Sequence, residues 1–255
     1  MSANVSDSDL RDYTVRLGDD ALILGHRLSE WCSKGPFLEE DLALSNVALD
    51  YLGRARMLYS YAAELSDGDA TEDSFAYQRD CREFRNLLMH ELPRGDFAFT
   101  LARQYLLDEY GLVFMSQLCA SADERLASIA AKAVKESRYH RRRSRDWMLR
   151  LGDGTEESHR RLQRAVQDLW GYTPELFEAD AMESALAAAG VAVDSTALRP
   201  SWERAVRDTL REATIEVPKE DWSVRGGREG LHTEFLGHLL SDLQFMQRAY
   251  PGLEW

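Results

Sequence analysis

The sequence predicts an all-α protein: a bundle of long helices over about residues 8–151, with shorter helices packed around it over 155–255. Three observations carry this. Apolar residues recur at three- and four-residue steps through stretch after stretch, as a core-facing helical stripe requires. No segment alternates like a half-buried strand, and no fixed-period repeat or low-complexity tract interrupts the pattern. A very short break at 121–123 separates two of the long stretches, which places those two helices antiparallel. No composition shift marks a boundary, so a single domain over 1–255 is expected.

The first helix is expected over residues 8–34, on the stripe Leu10, Tyr13, Leu17, Ala21, Leu24, Leu28 and Trp31. Ser6 or Ser8 can cap it, and Gly35-Pro36 ends it. The second, 38–65, is apolar on more than one side (Leu42, Val47, Leu49, Leu52, Ala55, Leu58), which marks a central helix. After the loop Ser66-Asp67-Gly68-Asp69, a third is expected over 72–92, charged along one side and closed by Pro93. The fourth, 96–122, keeps Leu101, Tyr105, Leu112, Met115 and Cys119 in phase. The fifth, 124–151, follows after a very short break on the stripe Leu126, Ile129, Ala130, Ala133, Val134, Trp147 and Leu151. Gly152-Asp153-Gly154 ends it, and Thr155-Glu156-Glu157 opens the next with a cap and first-turn acids. Shorter helices follow from Pro174, over 181–189 and over 202–214. A loop over 217–230 then leads to a final helix over 231–250.

A hydrophobic fraction of 44% makes this a folded globular chain. With 31 basic against 44 acidic residues the formal charge is −13, which argues against nucleic acid as a partner and for a solvated acidic surface. Cys32, Cys81 and Cys119 are scattered, so neither a disulfide framework nor a zinc site is suggested. The N-terminus carries acids and no apolar segment, unlike a signal peptide. The longest uncharged apolar run, 185–193, is too short for a membrane span. A cytoplasmic location is expected. No GxxxxGK, GxGxxG or GxSxG motif occurs, so nucleotide hydrolysis, a dinucleotide fold and a serine hydrolase lack support.

The stripes contain intruders. The fifth helix runs over Glu136 and His140, where unpaired burial would cost about 1–3 kcal/mol each. Asp20 lies in the row of Leu17 and Leu24; Asn46, Asp50, Gly53 and Met57 share a face; Asp108 falls between Tyr105 and Leu112. One carboxylate per long helix towards the axis is the plan of a ferritin-like di-iron bundle, which takes a Glu from each of two helices and Glu-x-x-His from the other two. The spacing departs from that plan. The third position after Glu136 is Tyr139, with His140 one step late, and the third after Asp50 is Gly53. Two literal matches, Glu156–His159 and Glu229–His232, sit at helix starts beside glycines, where first-turn acids are ordinary; Glu234 and His238 carry no more weight. Two readings stand for Asp20, Asp50, Asp108, Glu136 and His140. One is a buried polar network, with Arg54 or Arg56 beside Asp50 and His140 beside Glu136. The other is a surviving carboxylate-bridged di-metal centre in a self-sufficient oxidoreductase.

Arg141, Arg142, Arg143 and Arg145 form the most basic stretch of an acidic chain. They read either as a solvated face paired to local acids or as a docking patch for an acidic partner subunit or a phosphate-bearing substrate tail.

Several blocks carry a resemblance: YTVRLGDDALILGHRLSEWC at 13–32, DLALSNVALDYLGRAR at 41–56, AKAVKESRYH at 131–140, GLHTEFLG at 230–237 and the closing RAYPGLEW. Their order and spacing, over nearly the whole chain, are similar to those of the C subunits of bacterial phenylacetyl-CoA ring 1,2-epoxidases. The resemblance implies a ferritin-like four-helix bundle within a multicomponent di-iron monooxygenase of aerobic phenylacetate breakdown. A related catalytic A subunit would hold the irons and phenylacetyl-CoA, a reductase would deliver electrons from NADPH, and small accessory subunits would complete the complex. The present chain would be its structural partner, with no cofactor and no catalytic residue of its own. Gly53 and Tyr139 agree with a lost site. Arg141 to Arg145 are then expected to be exposed and to matter for assembly more than for folding.

Overall fold

The computed structural model describes residues 6–219 and 221–253. Residues 1–5, where part of the acidic N-terminal reading falls, and the last two residues of the closing RAYPGLEW lie outside the described residues. The protein is all-α: every regular element among the described residues is helical. No described helix is long and apolar enough to cross a membrane. The described residues gather into two compact units, 94–224 and 6–93 together with 225–253. No charge or composition step marks either junction, which is why the sequence shows no boundary there.

In the unit of residues 6–93 and 225–253, α1 (Asp7–Ser29) begins at Ser6, whose hydroxyl accepts the Asp9 N–H at 3.1 Å. It packs along α2 (Leu38–Glu64). Gly18 permits the approach, because a Cβ there would lie 2.5 Å from the Tyr59 ring.

The helix expected over 72–92 does not form. In its place stand a π-helical turn at Ser74–Gln78, a 3-10 turn at Cys81–Glu83 and the single turn α3 (Leu88–Glu91). The reason lies in where the backbone groups find partners. The Asp19 and Asp20 carboxylates accept the N–H groups of Arg85 and Leu87 at 2.7 and 2.8 Å. Gln244 donates to the carbonyls of Ala76 and Arg79, and Arg248 to those of Tyr77, Gln78 and Arg79. Side chains of distant segments thus satisfy the groups a helix would have paired internally.

In the unit of residues 94–224, α4 (Phe97–Leu118) is capped by Asp96, and α5 (Glu124–Gly152) by Asp123, each accepting an N–H at 2.8 Å. The two pack together as a hairpin; α6 (Glu156–Trp170) and α8 (Arg199–Glu212) lie against α4, and the short α7 (Ala181–Ala188) follows α6 in sequence. Thr155 and Ser158 form the capping box of α6. The Trp202 indole donates to the Leu106 carbonyl at 3.0 Å, fastening α8 to α4. The final helix, α9 (Glu234–Ala249), belongs to the other unit and starts three residues later than expected. Gly226 and Gly230, at φ 125° and 78°, hold the preceding chain in a turn.

Candidate functional site

The residues picked out by sequence lead to three polar clusters and one apolar surface. In the α1–α2 unit the buried acid is Asp19, with a fully covered side chain, one position before the expected Asp20. Asp19 accepts from the Tyr59 hydroxyl at 2.6 Å and pairs with Arg79. The Arg79 guanidinium also lies 4.2 Å from the centre of the Phe84 ring. Burial raises the Tyr59 pKa well above its ordinary value, and Asp19 adds to the shift. Burial acts against the charge on Arg79, but Asp19 and Tyr59 outweigh it and hold that guanidinium charged. Asp20, 15% exposed, pairs with Arg228 at 2.7 Å. Its carboxylate is engaged by a guanidinium and a backbone N–H, which is the polar-network arrangement.

Asp50 takes a different place from the one expected. The buried face of α2 is Leu44, Val47, Ala48, Tyr51, Arg54, Ala55 and Leu58. Asn46 is exposed, and Asp50, Gly53 and Met57 are only half-covered, so that row turns outward. Arg56, one of the two arginines offered to Asp50, pairs with Glu72 at 2.9 Å. Arg54 is buried, 4.8 Å from the centre of the Tyr51 ring.

The second cluster joins α3 to the segment before α9. The side chains of Glu91 and His232 are 0% and 2% exposed and 2.8 Å apart. Asn86 donates to the same carboxylate at 2.9 Å, and the Thr233 N–H at 2.5 Å. Arg27 links the neighbouring backbone by donating to the carbonyls of Glu91 and Phe235. In sequence His232 stands out only through the Glu229–His232 spacing, yet Glu229 is exposed and the true partner is 141 positions away. No local pattern announces that pairing.

The third cluster lies on α4 and α5. Asp108 and His140 are buried as expected; Asp108 accepts from Gln104 at 2.7 Å, and Glu136 stands 3.9 Å from Lys132. The acid that the stripes do not reveal is Glu109, 5% exposed and bonded to Arg141 at 2.6 Å. Burial, then the adjacent Glu109, pushes the Tyr105 phenol up. Tyr139, 43% exposed, points away from this core. Among the described residues no three His, Cys, Asp or Glu side chains come together where an ion could sit.

The expected exposed run Arg141 to Arg145 needs correction. Arg141 is half-buried on Glu109, Arg143 is buried, and Arg145 bonds Thr209 and Glu212. Arg142 alone among the four is exposed, beside the Tyr139 ring. A helix face spans only part of a turn, so consecutive residues cannot all share it.

The apolar surface is on α2. Leu38, Leu42 and Leu49 are 69%, 55% and 64% exposed and recur at helical steps. Gly53 continues the row, and a Cβ added there would meet nothing within 4 Å. The second apolar side that marked α2 as central is therefore real, but the described residues do not cover it.

Comparison with known proteins agrees with the sequence blocks. The chain is 50% identical over 248 residues to the C subunit of the 1,2-phenylacetyl-CoA epoxidase of Escherichia coli (strain K12), covering 97% of this chain and 100% of that protein. All of residues 1–255 match the family described as phenylacetic acid catabolic protein. With both its full length and half its residues shared, the chain belongs to the phenylacetic acid catabolic protein family.

Proposed function

We propose that this chain is a structural subunit of a phenylacetyl-CoA 1,2-epoxidase, a ring-epoxidising monooxygenase of aerobic phenylacetate catabolism. Full-length similarity to the C subunit of such an epoxidase supports the complex to which it is assigned. The structural observation that carries the reading is the outward row Leu38, Leu42, Leu49 and Gly53 on α2. Three leucines on one exposed helix face form a patch that soluble monomers avoid, and a glycine without an intrachain reason lets a second backbone come close. The partner is the catalytic subunit, which carries the di-iron centre; the reductase and small accessory subunits complete the assembly in the cytoplasm. Asp20, Asp108 and Glu136, engaged by donors of this chain, suit a scaffold better than a metal cage.

Co-expression with the catalytic subunit tests this. The wild-type chain is expected to co-elute with it on sizing, and Leu42→Asp with Leu49→Asp to elute alone while keeping its melting temperature. Failure of the wild type to co-elute overturns the subunit reading. Undiminished co-elution of the double variant overturns the α2 surface. Iron at two per isolated chain, with oxygen consumed on phenylacetyl-CoA, would replace the scaffold with an enzyme.

A further inference from the structure

A cleft of about 620 Å³ lies between the start of α1, the loop after α2 and the irregular segment that replaces the expected third helix. Its walls carry four guanidinium groups, Arg11, Arg16, Arg79 and Arg85, against two carboxylates, Asp12 and Glu83. In a chain with 44 acidic and 31 basic residues this reverses the prevailing charge. Both carboxylates are engaged: Asp12 accepts from Arg11 at 2.9 Å, and Glu83 accepts the Asp80 N–H at 2.6 Å. Arg79 is held by the buried Asp19 and serves the fold.

Arg85 differs from these. Its Nη1 donates to the carbonyls of Arg82 and Phe84 at 2.6 and 2.8 Å, which fixes the group on the cleft wall. Both acceptors are neutral, and no described carboxylate lies within ion-pair distance of Arg85. Beside it Phe75, half-buried and stacked on Tyr59 at 5.7 Å, gives the cleft a rigid aromatic wall. A concave site of this size, with an oriented guanidinium facing it and further cations around it, suits an anion with several charged oxygens. A phosphate offers more oxygens and more negative charge than a carboxylate, which suits two guanidinium groups better.

We propose that this cleft binds a phosphate-bearing ligand, with Arg85 and Arg11 contacting the phosphate oxygens and Phe75 facing whatever ring the ligand carries. The phosphate could come free or on a carrier such as coenzyme A. Only the coenzyme A source rests on the epoxidase reading; the phosphate site rests on the cleft itself.

Calorimetric titration of the full-length chain with inorganic phosphate, adenosine 3′,5′-bisphosphate and coenzyme A tests this without the catalytic subunit. Saturable binding is expected, weakened about tenfold by Arg85→Gln and by a smaller factor by Arg11→Gln. Arg85 also braces backbone carbonyls, so Arg11, half-covered and bonded only to the exposed Asp12 and Ser8 side chains, supplies the variant with less at stake in folding. Affinity for coenzyme A about tenfold above that for phosphate supports the carrier; equal affinity supports free phosphate. No saturable binding of any of the three, or binding unmoved by both substitutions, overturns the proposal. Because co-elution with the catalytic subunit is measured separately, either result can fail alone.

Discussion

The His232 imidazole stands between two acceptors, with Nδ1 2.8 Å from Glu91 Oε2 and Nε2 2.9 Å from the Phe84 carbonyl oxygen. Both ring nitrogens of the buried imidazole thus face oxygen acceptors. The Glu91 carboxylate takes Asn86 and Thr233 as well, and is the point where α3 and the start of α9 meet. Glu91→Ala leaves three buried donors without their acceptor, and the expected cost is about 3–5 kcal/mol. Thermal unfolding reads the total, and faster amide exchange in α9 reads the place. An unchanged melting point contradicts the assignment.

Asp19 and Asp20 are neighbours in sequence with different burdens. Asp19→Asn weakens a fully buried pair and two further bonds, whereas Asp20→Asn weakens one that keeps contact with water. Asp19→Asn is expected to cost about 2–4 kcal/mol and Asp20→Asn about 1–2 kcal/mol. Denaturant midpoints for the two variants check the order, and a reversed order would show that the phase of α1 is misread.

His26 gives a pH dependence with a definite sign. Burial lowers its pKa below the ordinary value of 6.5; Glu30 partly opposes the shift, and Arg27 adds to it. The folded chain therefore favours the neutral ring more than the unfolded chain does. That contribution is fully present above the unfolded value and is lost as pH falls below about 6.5 towards the folded one. His26→Gln should flatten the slope of melting temperature against pH between about 5 and 7. Parallel curves for variant and wild type would refute this.

Gly53 separates stability from assembly. A methyl group there has open space, so Gly53→Ala should stabilise the isolated chain by about 0.5–1 kcal/mol through helix propensity. Gly53→Leu, bulkier on the same surface, should leave folding intact and weaken co-elution with the catalytic subunit. Loss of stability in the alanine variant would mean that the row is covered within the chain.

The arginine run needs two different variants. Arg142→Glu should change the melting point by less than about 0.5 kcal/mol equivalent, because the side chain is exposed. Arg141→Glu should destabilise by several times as much, since it sets a second acid against the buried Glu109. Assembly defects in the second variant alone would reflect folding rather than docking.

Much of this architecture is legible in the chain itself. Ser6 and Thr155 cap helices where the sequence offers them, because capping is local. The segment 72–92 escapes such a reading because its hydrogen-bond partners are Asp19, Asp20, Gln244 and Arg248, all remote in sequence. The one-residue slip between Asp19 and Asp20 has a related cause: a stripe fixes a helix face only to within about one position. On α2 the pattern reports two apolar sides correctly, but cannot say which of them stays exposed.

The irregular segment 72–92 has a further consequence for how the chain is made. Its carbonyls are met by Gln244 and Arg248, and Asp20 and Glu91 by Arg228 and His232. A nascent polypeptide leaving the ribosome carries these early acceptors long before their late donors exist. The first third of the protein must wait for the last stretch, about thirty residues, to be synthesised. Truncation from the C-terminus would then act as a folding defect at the opposite end of the gene product.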